Sequence, residues 1–306
     1  MSPHRFLAAV ALLAATLSAL SASDKLVSTE WLEANLGKPG VVVLEVSVNP
    51  GVFERGHIPG ASNLAWHTDL VDPTRRDIVS AERLQELLRS AGVNQDSTIV
   101  IYGDTNNWFA AWGFWIFDVY GLAAQTRLLD GGRAKWEAEN RPLSPRPRRS
   151  AAGNISISVD RQGELRARLA DVVAAAENPG SVALLDIRSA AEFSGRVIAP
   201  EGVQELAIRA GHVPGAVNVA WGQLVAADGS FKSAEQIRAI YAAQGIDGST
   251  PIIAYCRIGE RSSHSWFALR HILGYDARNY DGSWTEYGNA VGVPISNPAG
   301  TVWRGK

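Results

Sequence analysis

Sulfur is scarce in this 306-residue sequence, which holds one cysteine, Cys256, and one methionine, Met1. A single thiol closes no disulfide within the chain, so a cross-linked scaffold is excluded. An excess of one charge is missing too. The 29 Lys and Arg residues face 31 Asp and Glu, a net charge of −2. That balance leaves no electrostatic footprint for nucleic acid or a membrane surface. No phosphate-loop or dinucleotide fingerprint occurs. His264 and His271 share one helical stretch, but no acidic or thiol partner stands at ligand spacing, so no metal is expected.

Long apolar runs are absent except at the start. After the basic MSPHR comes FLAAVALLAATLSAL, residues 6–20, then small residues at Ser21, Ala22 and Ser23 and the charged Asp24-Lys25. A basic start, an apolar centre and small residues at the cut have the grammar of a secretory signal. The run is short for a membrane span, and no Arg-Arg pair is present, which favours general secretion. Residues 1–23 are therefore expected to be a cleavable signal peptide. The mature protein would be periplasmic or secreted, with no membrane segment; an uncleaved anchor is the alternative. Exported proteins usually pair their cysteines. Cys256 cannot do so within the chain, which leaves an inert core residue, an intermolecular link or a working thiol.

What the sequence does have is a repeat. GHIPGASNLAW (56–66) and GHVPGAVNVAW (211–221) agree at eight of eleven positions. VVVLEVSV (41–48) pairs with SVALLDIRS (181–189). SAERLQELLRSAGVNQDSTIVIY (80–102) pairs with SAEQIRAIYAAQGIDGSTPIIAY (233–255), and LLDGGRAKW (128–136) with NYDGSWTEY (279–287). Four blocks in one order describe a duplicated domain. The first unit is expected over 24–141 and the second over 155–306. Residues 142–154, rich in proline and arginine, read as a surface linker with Arg146, Arg148 and Arg149 solvated. Short apolar runs such as ALLDI and PIIAY alternate with helical patterns at 233–244 and 262–273. The expected fold class is α/β, each half a mainly parallel sheet with helices on both faces.

Cys256 follows PIIAY, an all-apolar strand pattern, and precedes RIGER and the helical SSHSWFALRHILG. Ligand sites of open α/β sheets lie at that strand edge. Ser262 or Ser263 suits the helix cap and Gly274 the stop. A loop curled between strand end and helix start turns backbone N–H groups inward, an anion-binding nest. A thiolate there is stabilised by those dipoles and by nearby guanidinium charge. Gly259 suits a left-handed turn.

The duplicated GHxPGAxN block, the CRIGERSSH loop and the closing YDGSWTEY resemble two-domain rhodaneses, thiosulfate:cyanide sulfurtransferases, over nearly everything after residue 23. The resemblance implies double displacement through a cysteine persulfide, with thiosulfate as donor, cyanide or a thiol as acceptor, and no cofactor. It makes Cys256 the nucleophile. Arg257, Ile258, Gly259, Glu260 and Arg261 complete the substrate-binding loop, and Arg188 binds the anion from outside it. Asp186 would orient the loop region, while Glu192, His57 and His212 would be structural. Relatives selective for thiosulfate often carry lysine where Ile258 stands. The first half has Gly103 and Asp104 in place of the cysteine and would be inactive, with Trp108, Phe109, Trp112 and Trp115 at the interface or in the core. A monomer is expected.

Three rivals remain open. A 3-mercaptopyruvate sulfurtransferase shares fold and cysteine but typically has an uncharged loop. A phosphatase of related fold needs Cys-x5-Arg, whereas Arg261 arrives one residue early. A sulfur carrier would transfer once without turnover.

Overall fold

The computed structural model describes residues 24–72, 74–146, 150–199 and 207–302. The expected signal peptide and the linker residues Arg148 and Arg149 lie outside the described residues. No helix among the described residues is long and apolar enough to cross a membrane.

Each half is built on a parallel sheet. In the first, strands β1 (Leu26–Val27), β2 (Val41–Glu45), β3 (Ser62–Asn63), β6 (Thr98–Tyr102) and β7 (Thr126–Leu129) lie in the order β1-β7-β6-β2-β3. In the second, β8 (Ala183–Asp186), β9 (Val217–Asn218), β10 (Ile252–Tyr255) and β11 (Ala277–Tyr280) lie in the order β11-β10-β8-β9. The orders superimpose, β7-β6-β2-β3 on β11-β10-β8-β9, as the repeat predicts. A short antiparallel pair, β4 (Val71–Asp72) and β5 (Asp77–Ile78), adds a hairpin to the first half.

Strand side chains alternate between faces, and both faces of each sheet are buried. Val43, Val100 and Tyr102 pack with Leu32 and Trp136 on one side of the first sheet. Leu184, Ile253 and Tyr255 pack with Val172 and Trp284 on one side of the second. The opposite faces, with Leu44 and Ile101 from one half and Leu185 and Ala254 from the other, share a single apolar core. Two helices sit at its centre, Trp108–Val119 and Glu260–Phe267, and Phe114 meets Phe267 edge-on at 4.9 Å. The halves are thus joined by a shared apolar core, with ion pairs such as Arg166–Asp77 and Arg161–Asp118 across the same junction, and that core fixes the wall opposite the cysteine loop.

The repeat also keeps its polar fastenings. His57 stacks on Phe53 at 3.8 Å and pairs with its carbonyl through Nδ1. His212 does the same with Phe193 at 3.7 Å. Tyr102 and Tyr255 end equivalent strands, and their hydroxyls accept from the N–H groups of Ile58 and Val213. Both GHxPG histidines therefore tie a loop to its own domain.

One expectation is refined and one corrected. The segment read as a surface linker is exposed at most of its described residues, Arg146 among them, yet it is also pinned to the first half. Ser144 and His57 exchange backbone hydrogen bonds, His57 Nε2 pairs with the Arg146 carbonyl, and the Gly153 N–H donates to the Arg89 carbonyl. Apolar periodicity does not register such backbone pairing. The helix expected over 262–273 begins earlier, at Glu260, with Gly259 rather than a serine at its N-cap, and ends in a π-helical turn over Ala268–Ile272. Ser262 and Ser263 lie inside it and donate back to the Gly259 carbonyl at 2.9 Å.

Candidate active site

β10 runs through the middle of its sheet and delivers Cys256 at its C-terminal edge. The residue is 0 % exposed, yet its sulfur sits among polar groups. The Gly259 N–H donates to Sγ at 3.1 Å. The Cys256 N–H donates to Ser283 Oγ at 3.0 Å, and that oxygen lies 3.9 Å from Sγ. Burial pushes the Cys256 thiol up. The Arg261 charge, the Ser262 hydroxyl and the Gly259 and Ser262 amides outweigh it, and the thiol is held below its ordinary range. The start of a helix adds its dipole in the same sense.

Gly259 shapes this nest. Its φ is +104°, and a Cβ there would lie 2.6 Å from the Asp281 Cα. Gly259→Ala is therefore expected to displace the loop and lower sulfur transfer by about 100-fold, with an unchanged Cys256 available to alkylation after unfolding; steady-state rates and thiol titration check it.

Beside the nest opens a cleft of about 500 Å³ between the halves. Trp66, Phe109 and Trp112 line it from the first half, and Arg257, Ile258 and Glu260 from the second. Trp108 stands at the same junction, edge-on to Trp221 at 4.8 Å. Trp115 is fully buried in the shared core and donates to the Leu165 carbonyl of the second half, so it ties the junction together without lining the cleft.

Arg261 reaches back from the helix. Its Nη2 donates to Glu192 Oε1 at 3.1 Å, and its guanidinium lies over the Trp108 ring at 5.9 Å. Glu192, 1 % exposed, also closes a capping box with Ser189. Sequence reasoning gave Glu192 no part in the site. It is a positioning residue for the cation that faces the thiolate, and its only sequence signal was the Ser-x-x-Glu spacing.

Arg188 is held within its own domain. Expected to bind substrate, it is 1 % exposed and does not line the cleft. Its Nε and Nη2 bind Asp186, at 3.0 Å and 2.6 Å to the nearer oxygens, and Nη2 also donates to the Gly211 carbonyl. Its guanidinium lies 4.5 Å from the Trp284 ring centre. Asp186 accordingly orients this arginine rather than the cysteine loop. The first half builds the same fastening from another position: Arg133 joins Glu45 and the Gly56 carbonyl. Arg188→Ala strands a buried carboxylate, so it is expected to cost roughly 3–5 kcal/mol of stability, read as a fall in Tm, with little change in KM.

The first half's counterpart of the nest is filled from within. The Asp104 carboxylate accepts from the Val48 and Asn49 N–H groups at 2.9 Å, and Asn107 Oδ1 accepts from the Gly103 N–H. Gly132 and Ser283 occupy matching places, both left-handed, at φ +57° and +50°. The active-looking half carries a side chain where glycine would be unstrained. Ser283 went unnoticed in the sequence; the signal was the one-residue difference between DGG and DGS.

The Rhodanese-like domain model matches residues 28–139 and 169–290, one copy in each half. The chain belongs to this family. Rhodanese relatives are similar over most of their length. A protein of Mycolicibacterium smegmatis named "Putative thiosulfate sulfurtransferase" is 47% identical, over 90% of this chain and 99% of its own. The "Sulfur carrier protein TtuD" of Thermus thermophilus is 46% identical, over 89% of this chain and 96% of its own. The rhodanese fold of SseA from Escherichia coli, described among 3-mercaptopyruvate sulfotransferases, matches with a TM-score of 0.72 at 26% identity, covering 85% of this chain and 98% of that one.

Proposed function

We propose that this protein is a thiosulfate sulfurtransferase working by double displacement through Cys256. The thiolate attacks the outer sulfur of thiosulfate and forms a new S–S bond. The old S–S bond breaks, its electron pair leaves on sulfite, and a persulfide remains on Cys256. Cyanide or a thiolate then takes the outer sulfur, and the Cys256 thiolate returns. Charge and sulfur balance in both halves.

The observation that carries this reading is the Cys256 sulfur accepting the Gly259 N–H at 3.1 Å with Arg261 holding the thiol low. Such a site favours a thiolate and, after attack, the persulfide anion. Arg257, lining the cleft, and Arg261, whose charge acts on the Cys256 thiol, suit a dianionic donor. Ile258 contributes an apolar wall in place of a third cation. The relatives named for thiosulfate share 47% identity or nearly so, which also supports the choice of donor.

Mass analysis after exposure to thiosulfate tests the reading. One added sulfur on Cys256, stripped by cyanide, is expected; an unmodified protein refutes it. The E. coli likeness supports a second reading, 3-mercaptopyruvate as donor. Comparing sulfite release with pyruvate release separates the two. The Thermus relative supports a carrier role, for which transfer would stop at one sulfur per chain. In our reading the chain is exported after cleavage near residues 22–24 and acts as a monomer, its first half walling the cleft. N-terminal sequencing and sedimentation check both points.

A further inference from the structure

Glu260 carries a carboxyl that the double displacement above does not use. It lines the cleft at the first position of the helix and is 4 % exposed. Its Oε2 is buried with no hydrogen-bond partner, and no ion pair joins it among the described residues. Its surroundings explain what charge it bears. Ile258, Phe109 and Trp112 make an apolar wall. Cys256, four residues back at the end of β10, supplies negative charge. Asp281 follows β11, and Asp77 lies on the β4–β5 hairpin; both are bound to Arg166, which is thereby committed. Arg76, Arg257, His67 and Asp72 complete the charged and titratable rim. An unpaired carboxylate in such a place is strongly disfavoured, and a neighbouring thiolate disfavours it further. Burial first, then the Cys256 charge, push the Glu260 carboxyl well above the carboxylate range.

We propose that Glu260 is the general acid–base of this site, giving its proton to the departing sulfite and recovering one from a thiol acceptor. The inference rests on the sulfurtransferase reading above. In the first half-reaction the Cys256 thiolate forms its bond to the outer sulfur. As the old S–S bond breaks, the Glu260 proton passes to sulfite, which leaves as hydrogen sulfite. Glu260 is then a carboxylate beside the persulfide. In the second half-reaction it takes the proton of the acceptor thiol, and the resulting thiolate removes the outer sulfur. The sum consumes thiosulfate and a thiol and yields hydrogen sulfite and a persulfide anion, with no net proton change on the protein. The cyanide ion attacks without a proton, the proton of hydrogen cyanide having already passed to solvent, so transfer to cyanide asks nothing of Glu260, which recovers its own proton from water.

Sulfite release requires Cys256 ionised and Glu260 neutral. The rate is lost as pH falls through the lowered thiol value and lost again as pH rises through the raised carboxyl value.

Single-turnover kinetics on the full protein test this, with Glu260→Gln as the variant. It keeps the shape and a hydrogen-bond donor but cannot transfer a proton. Expected are a fall of about 100-fold in sulfite release, a comparable fall in transfer to a thiol, an unchanged rate of transfer to cyanide and loss of the alkaline limb. Equal slowing of the thiol and cyanide steps, or no slowing of either, overturns the proposal. So does an alkaline limb that survives the substitution. If the glutamine variant does not fold, the wild-type profile decides, since a sulfite release that stays flat at high pH also overturns it. A wild-type protein that acquires no sulfur from thiosulfate fails one step earlier and removes the parent reading as well; mass analysis tells that failure from the others.

Discussion

Replacing Cys256 with serine is expected to reduce sulfur transfer from thiosulfate to background, a loss on the order of 10⁶-fold as for other covalent nucleophiles. Serine offers an oxygen that stays protonated in this nest and forms no persulfide. Stability should hardly change. The side chain sits among polar partners, the Gly259 N–H and Ser283 Oγ among them, and a hydroxyl can use them. A Tm within a few degrees of wild type, together with no sulfur acquired in mass analysis, is the expected pair of results. Substantial turnover by the serine variant would refute the mechanism.

Arg261→Ala should have the next largest effect, a fall of about 10²–10³-fold in kcat/KM for thiosulfate, the scale of losing one charge-stabilising donor. Two causes combine. The cation no longer holds the Cys256 thiol down, so the acid limb of the pH profile moves to higher pH. The leaving sulfite and the persulfide also lose a positive neighbour. The same change strands Glu192, so stability falls as well. Burial pushes the Glu192 carboxyl up, but Arg261 and Arg188 pull it below its ordinary range. A lowered carboxyl contributes stability above its unfolded value and loses it as pH falls through the folded one. The Tm gap between wild type and Arg261→Ala should therefore be full near neutrality and narrow in acid. Adding Glu192→Gln to Arg261→Ala should recover much of the Tm and none of the activity. Recovery of activity by the double variant would show that Arg261 matters only for folding.

Much of the architecture could be read locally. IIAY within PIIAY is apolar at every position because β10 lies between β8 and β11 with both faces buried. The repeated GHxPG blocks keep their histidine–phenylalanine stacks even though the phenylalanine stands four residues before His57 and nineteen before His212, so the fold rather than the spacing brings the rings together. The helix start was misplaced because serines usually cap, whereas here Gly259 turns the chain first and the serines hold its carbonyl. Arg188 is a related case. A guanidinium beside a strand end points to a substrate only if no carboxylate has claimed it, and Asp186 is just two residues away.

The amino-acid order by itself determined the duplication, the parallel α/β plan and the lone thiol at a strand's carboxyl edge, because periodicity and turn chemistry act over a few residues. Only the folded chain decided which charges meet. Arg261 faces the thiolate because Glu192, 69 residues earlier, holds it. Arg188 is withdrawn to Asp186 and Gly211, and Glu260 lies in the cleft wall with its Oε2 buried and without a hydrogen-bond partner among the described residues. Burial and through-space distance set these outcomes, and neither is written in the spacing of residues along the chain.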